Sequence, residues 1–169
     1  MTCLGTYMKI FFICLMVLSF LASCSPSSPP YLLPVNDYLV QNIGHASFGG
    51  RVFCAIDLLG TASRDDWMDV YAWALCGEYY LSGKDLVLGS AVSVPVALHL
   101  QGSGGRYRVL THEMPGNGTQ YWSDVEMIFP PHAIRAMCPE DIACANERAQ
   151  RLSDEIEQDA VEYYGVGSK

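Results

Sequence analysis

The sequence lacks an excess of basic side chains. It has 10 Lys and Arg against 18 Asp and Glu, which gives a formal net charge of −8 and a pI near 4.8. Proteins that bind nucleic acid neutralise phosphates with Lys and Arg, so this balance argues against nucleic acid as a partner. Hydrophobic residues make up 50% of the chain and charged residues 17%, which is typical of a folded globule and not of a disordered chain.

Motifs for common catalytic and metal sites are also missing. There is no CxxC pair, which zinc sites and thiol redox centres commonly use, and the four histidines are scattered. The aspartates at 65, 66 and 69 lack the Gly and Glu spacing of a calcium loop. No GxSxG elbow occurs, and the GSGG stretch at 102–105 lacks the lysine of a phosphate-binding loop. The sequence therefore predicts no metal, no cofactor and no catalytic residue.

The main apolar run is too short to span a membrane. Residues 10–22 (IFFICLMVLSFLA) form 13 residues preceded by Lys9, whereas a spanning helix needs about 20. This arrangement predicts a secretory signal peptide that starts at Met1 or Met8.

The end of the run, Leu21-Ala22-Ser23-Cys24, resembles the lipobox of bacterial lipoproteins. The resemblance implies cleavage after residue 23 and a lipid, including palmitate, on Cys24. The alternative is an ordinary signal peptide cleaved near Ser23. Two or three acyl chains would anchor the protein stably to the cell membrane, outside the cytoplasm.

Cleavage at this point divides the chain into three parts. We expect a signal peptide at residues 1–23, a Ser/Pro-rich tether at 24–34 and a single domain at 35–166. Loss of Lys9 leaves nine basic and eighteen acidic side chains, a net charge of −9. An anionic bilayer repels such a domain, so we expect the lipid alone to hold it at the membrane.

Four cysteines remain after the signal peptide and the lipid site are set aside: Cys54, Cys76, Cys138 and Cys144. An even number in an exported domain predicts two disulfides with three possible connectivities. We favour Cys54–Cys76, on adjacent strands of a hairpin centred near Asp65, and Cys138–Cys144, which closes a short loop.

Alternating apolar residues predict four strands. Residues 51–59, 67–81, 92–100 and 106–114 follow one another with short turns, which favours an antiparallel meander. Pro95 predicts an edge position or a bulge. Asn36 or Asp37 is a candidate cap for a short helix, residues 121–129 predict a helical turn that Pro130-Pro131 ends, and residues 145–164 predict an amphipathic helix.

These elements predict an α+β fold, with a four-stranded meander sheet covered most simply on one face by helices. The order of elements is similar to a cystatin-like or nuclear-transport-factor-like arrangement. The segments YAWALCGEYYL, SAVSVPVAL, EMPGNGTQYW and IFP resemble a group of bacterial exported or lipid-anchored proteins, and this resemblance implies export but no activity.

Tyr71, Trp73 and Trp122 are the candidate binding residues. If the sheet face that carries Tyr71 and Trp73 is exposed, it is a binding patch; if helices cover it, it is core, which is the reading we favour. His99 and His112 are surface imidazoles by default, and His112 and Glu113 should point to opposite faces of their strand.

We therefore expect a lipid-anchored, extracytoplasmic binding or interaction module whose partner is a protein or a small molecule. The alternative is a small cell-envelope hydrolase or metal-dependent enzyme that uses His99 or His112 with nearby acids.

Overall fold

The computed structural model describes residues 28–167, so the predicted signal peptide and Cys24 lie outside the described residues. The elements, in chain order, are α1 (Leu32–Asn42), β1 (Arg51–Arg64), β2 (Trp67–Ser82), β3 (Asp85–Ser103), β4 (Arg106–Glu113), a 3₁₀ turn (Gly118–Gln120), α2 (Tyr121–Ile128), α3 (Pro131–Ala136) and α4 (Ile142–Tyr164).

The four strands form the predicted antiparallel meander, in the order β1-β2-β3-β4, and the α+β class is confirmed. Each hairpin turn contains a residue with positive φ, beginning with Asp65 at φ 51° between β1 and β2. Short turns between consecutive strands leave no crossover, so β1 and β4 are the two edges of the sheet.

Helices cover both faces of this sheet, which differs from the one-sided cover that the sequence suggested. On one face, α1 packs Val35 and Leu39 against the even-numbered residues of β2 and β3. On the other face, α2, α3 and α4 pack against Tyr71, Ala97 and their neighbours. The cystatin-like arrangement is not confirmed. Two covered faces explain why β2 is apolar on both of its sides.

The strands are longer than the alternation of apolar residues predicted. In particular, β3 begins at Asp85, seven residues before the predicted start. The apolar pattern did not show these residues because Gly89 and Ser90 interrupt it, opposite an irregular pairing at Gly77–Tyr79 of β2. Pro95 lies opposite Trp73, and β4 pairs with β3 only from Ala97 onwards. Pro95 is therefore at a local edge, where its missing N–H interrupts no pairing with β4.

The first helix begins earlier than predicted. α1 starts at Leu32, so helical structure starts three residues before the expected domain boundary at residue 35, and neither Asn36 nor Asp37 is its cap. Pro34 lies in the first helical turn, where backbone N–H groups have no partner within the helix and a proline is tolerated. The tether predicted at residues 24–34 therefore gives way to helix at Leu32.

Arg148 faces the core from α4, whereas its apolar neighbour Ala149 is exposed. Its guanidinium donates to the carbonyl oxygens of Met137 at 2.9 Å and Ala136 at 3.4 Å, and lies 4.3 Å from the ring centre of Trp73. Burial lowers the pKa of Arg148, and Asp57 partly opposes this. The contact satisfies carbonyl groups at the end of α3 that have no helical partner.

Two disulfides tie the sheet and the helices, with the pairing that the sequence favoured. Cys54 on β1 is bonded to Cys76 directly opposite on β2, with their Cα atoms 4.1 Å apart. Cys138, just after α3, is bonded to Cys144 in the first turn of α4. Such bonds fit an oxidising, extracytoplasmic compartment.

The two disulfides should contribute unequally to stability. In the chain-entropy account, a sequence separation of 22 residues for Cys54–Cys76 gives about 3.4 kcal/mol, and a separation of 6 for Cys138–Cys144 gives about 2.2 kcal/mol. We expect the Cys54→Ala/Cys76→Ala variant to lose more unfolding free energy in urea than Cys138→Ala/Cys144→Ala. The reverse order would show that strain or residual structure, and not loop length, sets their effect.

Candidate functional site

Strand pairing brings three titratable side chains together on the sheet face that carries Tyr71. Asp69 of β2 lies directly opposite His99 of β3, and Glu113 of β4 is opposite Ala97, two residues from His99. The His99 Nδ1 lies 2.7 Å from an Asp69 carboxylate oxygen, and its Nε2 lies 3.1 Å from a Glu113 carboxylate oxygen. We call this set the Asp–His–Glu cluster.

Both ring nitrogens of the imidazole in the Asp–His–Glu cluster face carboxylate oxygens. An aspartate on Nδ1 is the arrangement that orients a general base. Here, however, Glu113 occupies Nε2, the nitrogen that such a base would use, and Glu113 is the most exposed member of the cluster at 57%.

Tyr71 borders the cluster but is sealed under the helices. Its ring contacts Phe129 and His132, with ring centres 6.0 and 6.2 Å away. Burial raises the pKa of Tyr71, and the negative charges of Asp69 and Glu113 raise it further. The phenol therefore keeps its proton at neutral pH.

The other candidate aromatic residues are placed differently. Trp73 is half-buried, with its indole N–H donating to the Ser93 hydroxyl at 2.9 Å. Trp122 of α2 is 50% exposed. The structure therefore does not bring Tyr71, Trp73 and Trp122 into one exposed patch, and Tyr71 itself is packed as core.

His112 and Glu113 point to opposite faces of β4, as strand alternation predicts. His112 Nδ1 lies 2.9 Å from the Tyr38 hydroxyl of α1, whereas Glu113 contacts His99 on the other face. Within residues 28–167, no group of three or more His, Cys, Asp or Glu side chains is arranged to hold a metal ion.

A second feature is a cleft along the outer edge of β1, between α1 and α4. Two recesses of about 540 and 340 Å³ adjoin there, and both are lined by Asn36 and Cys54. Carboxylates of both helices border them: Asp37, Glu155, Asp159 and Glu162. Arg51 is the basic side chain of the lining, and its guanidinium lies over the ring of Tyr163. We call this feature the β1 cleft.

Glu78 is a buried carboxylate that the sequence did not single out. It accepts hydrogen bonds from the backbone N–H groups of Ser47, Phe48 and Gly50 at 2.7–3.1 Å, and from the Ser90 hydroxyl at 2.9 Å. These bonds fix the loop before β1 onto the sheet. Gly89 belongs to the same packing, because a Cβ there would lie 2.8 Å from the Phe48 ring.

The hydrogen bonds to Glu78 outweigh its burial. Burial alone would raise the pKa of this carboxyl, but the three backbone N–H groups and Ser90 lower it from 4.5 to about 2. The residue is therefore ionised throughout the physiological range, and its role is to hold the loop.

No protein-family model, no curated protein and no solved structure matches this chain. The functions of the candidate sites are therefore inferred from their geometry alone. Within the described part of the chain, no helix is long and apolar enough to cross a membrane.

Glu78 should make the stability of the fold depend on acid pH. A folded-state pKa near 2, below the unfolded value of about 4.5, stabilises the fold above pH 4.5, and this contribution is lost as the pH falls towards 2. We expect Glu78→Gln to unfold at lower urea concentration than wild type at pH 7, because an amide, with a single oxygen, cannot accept hydrogen bonds from all four donors. The difference should shrink between pH 4.5 and 2.

The matched control is Glu126→Gln, a change of the same type at an exposed position of α2. Its urea midpoint should follow that of wild type at every pH. The anchoring role would be contradicted if Glu78→Gln and wild type had the same urea midpoint at pH 7. It would also be contradicted if the difference between their midpoints did not decrease as the pH is lowered.

Proposed function

We propose that this protein is a lipid-anchored, extracytoplasmic interaction module. The observation that carries the proposal is the combination of two disulfides in the folded domain with the lipobox-like Leu21–Cys24 sequence ahead of it. Disulfides persist in oxidising compartments, and a lipidated cysteine holds such a domain at the membrane.

The charge of the domain favours partners in solution or in the envelope over the lipid surface itself. The expected charge of −9 opposes close contact of the domain with an anionic surface. The tether between Cys24 and α1 at Leu32 is only a few residues long, so the domain would remain near the membrane that anchors it.

The β1 cleft supports binding as the activity. Its two recesses together are of the size of ligand pockets in proteins. In the Asp–His–Glu cluster, by comparison, the two nitrogens of His99 already contact the carboxylates of Asp69 and Glu113. The β1 cleft is therefore the better candidate for binding a partner.

Acylation is the first test of this proposal. Cells that express the protein are labelled with radioactive palmitate, and we expect the label on the wild-type protein and none on Cys24→Ser. The control is the Cys54→Ser/Cys76→Ser variant, which removes two cysteines but leaves residue 24 intact and should keep the label. Equal labelling of wild type and Cys24→Ser would refute the lipid anchor. So would labelled wild-type protein that is found in the soluble fraction and not with the membranes.

The contact between His99 and Asp69 favours a second candidate function, a small cell-envelope hydrolase. In this reading Glu113 moves away and the oriented imidazole acts as a general base on water. The test is hydrolysis of p-nitrophenyl acetate by purified protein. This function requires that His99→Gln lowers the rate by about a hundredfold or more while Glu113→Gln retains or raises it; equal rates for wild type and His99→Gln would exclude it.

A further inference from the structure

The outer edge of β1 presents backbone groups that no strand pairs within residues 28–167. Two observations identify which residues carry them. In antiparallel sheets, opposed residues with Cα atoms about 4.5 Å apart do not exchange hydrogen bonds, and Cys54 and Cys76 are 4.1 Å apart. The N–H and C=O of Cys54 therefore point away from β2.

Pro95 gives the same register independently. Because proline has no N–H, the favourable arrangement turns its nitrogen away from β2 and makes Trp73–Pro95 a pair without hydrogen bonds. Trp73 then directs its backbone groups to Asp57, its partner on β1. Alternate residues of a strand direct their backbone N–H and C=O groups to opposite neighbours. The residues of β1 whose backbone groups point away from β2 are therefore Val52, Cys54 and Ile56.

These three residues line the β1 cleft. Asn36 lines both recesses as well, and its buried side-chain oxygen has no hydrogen-bond partner in the described part of the chain. A strand laid along β1 would supply donors to the outward carbonyls.

The walls of the β1 cleft carry more negative than positive charge, which favours a positively charged partner. Asp37 lies on the α1 side, and Glu155, Asp159 and Glu162 lie on the α4 side, against the single basic residue Arg51. Partial burial raises the pKa of Glu155, the charge of Asp159 one helical turn away raises it further, and Arg151 partly opposes both. Positive charge in the cleft would relieve the repulsion between Glu155 and Asp159.

We infer that the β1 cleft binds an extended, basic segment of a partner protein by adding it as a fifth strand next to β1. This inference rests on the proposed function, for which it names the class of partner. Alternate side chains of an added strand point to opposite sides. One set therefore faces Asp37 on α1, and the other faces Asp159 and Glu162 on α4.

Two other occupants fit less well. A second copy of this chain would bring the same carboxylates against each other. The chain's own tether, SPSSPP at residues 25–30, has no basic side chain, and its three prolines have no N–H to donate.

The test uses the protein as purified from cells, in detergent micelles, and a fluorescent eight-residue peptide of alternating Lys and Val. We expect this peptide to bind, and the matching Glu–Val peptide not to bind. A Lys–Val peptide with N-methylated valines keeps the charge but loses alternate donors, and we expect it to bind about tenfold more weakly. In the complex, the amides of Val52 and Ile56 should gain protection from hydrogen exchange.

Matched charge reversals locate the site. Asp159→Lys in the cleft should weaken Lys–Val binding by about five- to tenfold, whereas Glu126→Lys, exposed on α2 away from the cleft, should leave it within twofold. Equal effects of both reversals would show that only overall charge matters and would overturn the inference. Equal binding of the N-methylated and unmethylated Lys–Val peptides would also overturn the inference.

Failure here is distinguishable from failure of the proposed function. If palmitate labels Cys24 and the Lys–Val peptide does not bind, the anchored module stands and its partner class is wrong. If the peptide binds and the label is absent, the cleft stands and the anchor is wrong.

Discussion

The covalent bond between Cys54 and Cys76 is the constraint on which the arrangement of the sheet depends. It joins directly opposed residues of β1 and β2. A slip of one residue would move every side chain of β1 to the other face, so the bond also decides which residues pack under α1 and which under α4. The same register directs the backbone groups of Val52, Cys54 and Ile56 outward, along the β1 cleft.

Polar contacts complete the fold where apolar packing ends. Glu78 holds the loop that leads into β1 through three backbone N–H groups, and Arg148 satisfies carbonyls at the end of α3. Both groups are buried, and both are hydrogen-bonded as buried charges must be. These contacts fix two segments without regular structure, the loop before β1 and the turn after α3, by polar contacts and not by apolar packing.

Several elements could be predicted from the sequence because their signals are local. Alternation in SVPVALHL predicted the centre of β3, and the apolar spacing from Leu152 to Ala160 predicted α4. Glu78 could not be found in this way, since its partners lie about 30 residues earlier and only the folded chain brings their N–H groups together. The contact of His99 with Asp69 and Glu113 likewise depends on strand register, and the proline at 131 begins a short helix although proline pairs usually indicate a break.

The central claim is a cystine-bonded domain held outside the cytoplasm by a lipid at residue 24. It is tested most directly by the intact mass of the native protein under non-reducing conditions, followed by mapping of its peptides. The account predicts a chain that begins at Cys24, carries added acyl mass on that residue, and contains the Cys54–Cys76 and Cys138–Cys144 peptides as linked pairs. Four free thiols in a chain that still carries residues 1–23 without added mass would contradict it.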